Sequence, residues 1–349
     1  MPNAMSDPSK QQQPQQPAER PVPTSADVAR LAGVSRATVS YVLNNTSAVR
    51  ISEPTRLRVR EAAQELGYVP HAAARSLRAG RTRIVLLPSG HIPVGPLYSR
   101  FLNELQGALR RLDYTVVQYS GLGLGADDAA RAWAELRPVA VISLAETELT
   151  AQGVELLKRS GARAVITLGP HRVEGAHSLL MDQREIGRCA VGHLLERGHR
   201  RIGVVVPSEP GLELFSTPRL AGARKAVAGT DAVVEPLELA YEEEAAAGLA
   251  RRWRGLGLDA VFAYNDEYAM LLMRALQDAG VDIPAEVAIV GADNLLLGNL
   301  LRPRLTTVNI DMVAGRHLAE LVDAAVRDPS AVGERRDLMG ATLVRRESS

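Results

Sequence analysis

The 349-residue chain has one cysteine, Cys189, so it can form no internal disulfide. That residue sits in a helical pattern over 184–197 among apolar neighbours, which predicts a buried, inert thiol rather than a nucleophile. No apolar run reaches the roughly 18 residues of a membrane span. The N-terminal region is rich in Gln and Pro (Gln11 to Pro17), not charged and then apolar as a secretion signal is, so a cytoplasmic location is expected. Aromatic rings are scarce, with three Phe and two Trp in the whole chain, which leaves few side chains for stacking on a sugar. Between residues 21 and 83 lysine is missing altogether.

Arginine fills that gap. Residues 21–83 hold ten Arg against four acids, an excess of six positive charges, whereas the whole chain is only +1 and residues 1–20 are neutral. Everything after residue 83 is therefore mildly acidic. A basic head on an acidic body suits a protein that docks one end on a polyanion. Charge alone would fit an ordinary solvated face equally well. The pattern inside the head decides between the two.

Residues 24–44 read as two short helices joined by a tight turn. Thr24 caps the first, with Asp27 three residues on, as in a capping box. Val28, Ala29 and Ala32 form its inner face, and Gly33 supplies a left-handed turn at little cost. Ser35 caps the second helix, which turns Val39, Val42 and Leu43 inward and shows Arg36, Ala37, Ser40, Tyr41 and Asn44 outward. This is a helix-turn-helix whose outer residues are placed to meet base edges and phosphates in a major groove. A third helix starts near Ser52, is expected to carry Leu57, Val59, Ala62, Ala63 and Leu66 inward, and stops at Gly67.

The domains follow from composition and period. Residues 1–23 form a low-complexity tail, 24–68 the helical head and 69–82 a linker with a helical pattern too short to stand alone in water. Residues 83–349 form a body in which short apolar runs alternate with amphipathic helices. Candidate strands are 83–88, 114–119, 139–144, 163–168, 201–206, 259–264 and 287–292. Such alternation predicts an α/β body of two doubly wound parallel-sheet subdomains behind an all-α head, with ligands at the carboxyl ends of the strands. The N-subdomain is placed at about 83–181 and 312–336, and the C-subdomain at about 182–311 and 337–349.

Several pieces, in order and at these spacings, carry a specific resemblance. They are Asp27-Val-Ala, Ala32-Gly-Val-Ser35, Thr38-Val-Ser40, Val42-Leu-Asn44, Leu66-Gly-Tyr-Val-Pro70, Gly198-His-Arg-Arg-Ile202, Arg219-Leu-Ala-Gly222, Asn265-Asp266, Ile283-Pro284, Val290-Gly-Ala-Asp293 and Leu305-Thr-Thr-Val308. From residue 24 to about 345 the chain resembles the lactose-repressor (LacI/GalR) family of bacterial transcription regulators. The resemblance implies a homodimer that binds a near-palindromic operator through its heads. Its body resembles a type I periplasmic binding protein and senses a small-molecule effector, a sugar or another metabolite.

The resemblance also assigns residues. Arg36 and Ala37 match readers of operator bases, and Ser35, Thr38 and Asn44 match positions near phosphates; Thr24, Ser40 and Tyr41 are grouped with them on the DNA side. An Arg at the start of a recognition helix can pair with a guanine, worth ~1–3 kcal/mol of discrimination. Many relatives carry an Arg where this chain has Tyr41. Leu77 matches a hinge leucine that wedges into the minor groove, and Ala74 the small hinge residue beside the dyad. In the body, Arg219, Asn265, Asp266 and Asp293 match residues that bind effector hydroxyls or acidic groups. Tyr241 falls where sugar-binding relatives place a stacking ring, and Tyr98 lies in the entry after the first strand.

Departures point away from a sugar. The loop His91 to Leu97 lacks the family's Asn-Pro-Phe, Ala292 and Ala223 replace aromatic residues, and Leu295 to Leu301 is unusually apolar beside the expected pocket. Gly121 to Ala126 fits a loose dinucleotide fingerprint but follows the second strand rather than the first. His193 and His199 lie six apart, off one helix face, so no metal pair is expected. No cofactor and no catalytic constellation stands out, so an enzyme is not expected. The chain also lacks a leucine heptad tail, which favours a dimer over a tetramer. The rival reading is a solute-binding or enzymatic α/β protein whose basic head is incidental.

Overall fold

The computed structural model describes residues 22–43, 49–69, 80–89, 95–120, 124–144, 149–329, 336–337 and 339–349. The chain divides into two compact units at Gly80 and Arg81.

The first unit is helical. Helix α1 spans Ser25–Ala32, α2 spans Arg36–Leu43 and α3 spans Glu53–Glu65. The Asp27 carboxylate accepts from both the backbone N–H and the hydroxyl of Thr24, at 2.9 and 2.6 Å, which fixes the start of α1. Gly33 turns the chain at φ +64°. The Ser35 hydroxyl then accepts from the Thr38 N–H at 3.1 Å and starts α2. Val28, Ala29, Ala32, Val39, Val42, Val59, Ala62 and Ala63 close into one small core. Leu57, expected inside, is exposed. The inner face of α3 is set by Val59, Ala62 and Ala63, and a residue two before Val59 lies about 200° around the helix from it.

The second unit contains two six-stranded sheets. The first is built from β1 (Ile84–Ser89), β2 (Thr115–Ser120), β3 (Ala140–Leu144), β4 (Ala164–Gly169), β5 (His177–Leu180) and β11 (Arg336–Asp337), in the order β2-β1-β3-β4-β5-β11. Its helices are α4 (Pro96–Arg111), α5 (Ala126–Glu135), α6 (Ala151–Arg159) and α11 (Gly315–Arg327). The second sheet takes β6 (Arg201–Pro207), β7 (Val233–Leu239), β8 (Ala260–Phe262), β9 (Ala288–Ala292), β10 (Thr306–Met312) and β12 (Met339–Val344), in the order β7-β6-β8-β9-β10-β12. Its helices are α7 (Arg184–Glu196), α8 (Glu213–Val227), α9 (Glu243–Leu256) and α10 (Asp266–Asp278).

Both sheets thus repeat one doubly wound order, and only β12 runs antiparallel, against β10. Each sheet has apolar layers on both faces, the arrangement that buries a parallel sheet. Strands β5, β7, β10, β11 and β12 go beyond the apolar runs visible in the sequence. β7 carries Pro236 and two Glu on an open edge, and β10 opens with buried Thr306 and Thr307, so neither shows a continuous apolar signature. Among the described residues no helix is long and apolar enough to cross a membrane.

Candidate functional site

Two surfaces carry chemistry, one in each unit. On the head, Ser35, Arg36, Ala37 and Tyr41 are exposed and Thr38 and Ser40 are half-exposed, while Val39 and Val42 of the same helix are buried. The outward face of α2 is therefore a strip of one cation, one methyl, hydroxyls and one phenol. Thr24 is exposed, but its hydroxyl is engaged by Asp27. Asn44, Ala74 and Leu77 lie outside the described residues, as does most of the 69–82 linker.

In the body, a cavity of about 270 Å³ opens at the carboxyl ends of the strands of both sheets. It is close to the ~300 Å³ lower bound of small-molecule pockets. One wall is Leu97, Tyr98 and Phe101 of α4 with Leu144 and Leu168. The other is built from the segments that follow β6, β7, β8 and β9, which bring Glu209, Tyr241, Asn265 and Asp293 to the cavity. Met181, Gln183, Met312 and Met339, where the chain passes between the two sheets, also line it.

Of the sequence-assigned residues, Tyr98, Arg219, Tyr241, Asn265 and Asp293 converge here. The Arg219 guanidinium is buried and donates to Gln183 Oε1 at 2.9 Å and to the Tyr264 carbonyl at 2.7 Å. Asn265 caps α10, its Oδ1 accepting from the Tyr268 N–H at 3.0 Å. Burial pushes the Asp293 carboxyl up, and the Arg219 charge opposes that. Asp293 and Tyr264 both hold positive φ, 97° and 39°, a conformation unfavourable to side-chain-bearing residues that recurs at functional sites.

Asp266 does not join them. Fully buried beneath the cleft, it accepts from the Thr307 hydroxyl and from the Leu295 N–H at 2.7 Å. Glu267 lines the cavity instead. One helical step turns a side chain by about 100°, so adjacent acids at a helix start face different surroundings. The apolar stretch Leu295–Leu301 does not line the cavity either, and Leu296, Leu297 and Leu300 are exposed.

Sequence reasoning missed Glu209, Tyr264, Glu267, Tyr268, Phe101, Phe215 and Gln183. The rings are few but gathered: Tyr241 and Tyr268 lie 5.1 Å apart between centroids, and Tyr264 meets Tyr268 edge-on at 5.5 Å. Glu209 ties this cluster by accepting from the Tyr268 hydroxyl and the Tyr241 N–H. Its burial opposes ionisation, but these hydrogen bonds win and hold the carboxyl below its usual range. Cys189 is half-buried on α7 and burial pushes its thiol up, which disfavours the reactive thiolate. Among the described residues no group of three His, Cys, Asp or Glu could hold a metal ion.

A family profile described as bacterial regulatory proteins, lacI family, matches residues 24–71, and one described as a periplasmic binding protein-like domain matches residues 191–349. The HTH-type transcriptional regulator GalR of Escherichia coli K12 is 31% identical over 93% of this chain and 95% of its own. The solved complex of the transcriptional regulator CelR with cellobiose is 26% identical, with a TM-score of 0.62 over 94% of this chain and all of that one. The lac repressor dimer bound to operator and the anti-inducer ONPF shares the fold at 23% identity, with a TM-score of 0.73 over 93% of this chain and 98% of that one.

Proposed function

This chain belongs to the lacI family of bacterial regulatory proteins, and we propose that it represses transcription as a homodimer on a near-palindromic operator, under control of a small molecule held in the body cleft. The observation that carries the DNA half is the outward face of α2, where Arg36, Ala37 and Tyr41 stand exposed over a closed apolar core. A monomeric head covers only one half-site, so specificity of this kind calls for two heads. Exposed Leu296, Leu297 and Leu300 offer the body an apolar patch for a second copy to cover. The lac repressor, of the same fold, is a dimer on its operator.

The observation that carries the effector half is the convergence of Arg219, Asn265 and Asp293 with a ring cluster on one cavity between two sheets. CelR binds cellobiose in a chain of this fold. A ligand that fits one relative position of the sheets better than the other shifts the body between the two, and only such differential affinity can do so. A DNA target supports a cytoplasmic location. Ser35, Thr38 and Asn44 meet phosphates in this reading, and Ala74 and Leu77 act at the operator centre. The rival of a binding or enzymatic protein with an incidental head is disfavoured by the exposed groove-reading face.

Selection of random duplex DNA by the purified protein at a stated near-physiological salt tests this, because such affinity depends steeply on salt. Enrichment of an inverted repeat with a flexible pyrimidine–purine step at its centre is expected. Failure to enrich any sequence, with and without a metabolite extract, overturns the regulator reading.

A further inference from the structure

Three carboxylates and one guanidinium face the cavity: Glu209, Glu267 and Asp293 against Arg219. Two of the three are matched within the protein. Glu209 uses both oxygens, one on the Tyr241 N–H and one on the Tyr268 hydroxyl. Asp293 has the Arg219 charge opposing its burial and a hydrogen bond with Asn265. Arg219 Nε and Nη1 are engaged by Gln183 and by the Tyr264 carbonyl, and its flat face by the Tyr264 ring.

Glu267 is the acid left over. The hydrogen bond it accepts, from Asn265 Nδ2, is long at 3.4 Å. Burial pushes its carboxyl up and the Asp293 charge pushes in the same direction, with no cation opposing either. Its Oε2 reaches the first wall of the cleft, where a Cβ on Gly95 would lie 3.4 Å away. An unmatched, partly desolvated carboxylate is costly. The surfaces around it are rings. Tyr241 is half-exposed against Tyr268, and Tyr98 and Phe101 stand on the facing wall. Ring faces attract cations, the more so away from water. A neutral polyol would meet a wall made mostly of Leu, Met and rings, and would leave the charge of Glu267 uncompensated.

We infer that the effector is a small organic cation, an amine whose ammonium pairs with Glu267 while its apolar part lies among Tyr98, Phe101 and Tyr241. This rests on the effector reading of the cleft given above. It names a different ligand class from the cellobiose of CelR.

The test uses the full-length protein and three probes of nearly one shape: phenethylamine, phenethyl alcohol and phenylacetate, with tetramethylammonium as the minimal cation. Binding is measured by calorimetry and by thermal shift at neutral pH. The amine is expected to bind about tenfold or more tightly than the alcohol, tetramethylammonium to bind detectably and phenylacetate not at all. Glu267→Gln should erase the difference between amine and alcohol, and Glu267→Asp should retain part of it. Equal binding of amine and alcohol, preference for the carboxylate, or no binding of either cation overturns the inference. The parent reading is scored separately by operator affinity measured with fractionated metabolite extract. A response lost in Arg219→Ala but carried by a neutral or acidic fraction keeps the effector cleft and rejects the cation; no response to any fraction rejects both.

Discussion

The Arg219 guanidinium lies over the Tyr264 ring, 4.7 Å from its centroid, while donating to the carbonyl of the same residue. It therefore holds Tyr264 by ring and backbone at once, at a position whose φ of 39° is unfavourable. Gln183, in the segment between β5 and α7, is held by the same side chain. Lysine offers neither a flat face nor a forked donor set. Arg219→Lys should therefore lose the effector-dependent change in operator affinity almost as fully as Arg219→Ala. Operator binding titrated with and without effector checks this. A lysine variant with normal response would show that charge alone is required there.

The placement of Arg219 depends on two glycines. Helices α7 and α8 pack so closely that a Cβ on Gly187 would lie 1.8 Å from the Arg219 carbonyl oxygen, and one on Gly222 would lie 1.9 Å from that of Arg184. Backbone cannot yield as a side-chain tip can. Gly187→Ala and Gly222→Ala should each cost more than the ~1–3 kcal/mol of ordinary overpacking. Gly192, on the same α7, has nothing within 4 Å of its Cβ position. Gly192→Ala should be neutral or stabilising by up to ~1 kcal/mol. Urea unfolding of the three variants separates them; similar losses for all would mean that helix contact is not the cause.

Apart from edge strand β2, the strands that the sequence displays are those whose faces are both buried, such as Ala288–Ala292 and most of Arg201–Pro207. Continuous apolar runs mark them because both faces are covered. Edge strand β7 is open to solvent on one side, and Glu235, Pro236 and Glu238 interrupt its apolar run. The site was legible where a residue sits in a motif, as with Arg219 and Asp293. Glu209 and Tyr268 are 59 residues apart, and only the winding of the second sheet joins them. Glu267 was obscured by its neighbour: a motif names a helix start, but the facing of each side chain follows from how that helix docks.

Asp266 should make the body sensitive to pH. Burial raises its carboxyl from 3.8 to about 7, only partly offset by the hydrogen bonds from Thr307 and Leu295. The folded state thus holds a proton that the unfolded chain releases near pH 3.8. The stability this contributes is full below that value and is lost as pH rises through about 7, on the order of 4 kcal/mol over the whole range. Asp266→Asn cannot ionise. Its melting temperature relative to wild type should climb between about pH 4 and pH 7. A constant difference across that range would mean that Asp266 stays charged in the fold.

On the proposed DNA-reading face of α2, removal of Arg36 and removal of Tyr41 should leave different signatures. Both are exposed, on opposite turns of an eight-residue helix whose cap is secured by Ser35 and Thr38. A guanidinium at the first turn can take a guanine edge bidentately, so Arg36→Ala should cost ~1–3 kcal/mol per half-site and relax preference at one base pair. Tyr41 carries no charge, so Tyr41→Phe should leave the salt dependence of binding unchanged. Affinities on a panel of single-base operator variants, repeated at two salt concentrations, read both effects. If Arg36→Ala instead weakens every sequence equally and flattens the salt slope, Arg36 is a phosphate contact and the base reader on this helix lies elsewhere.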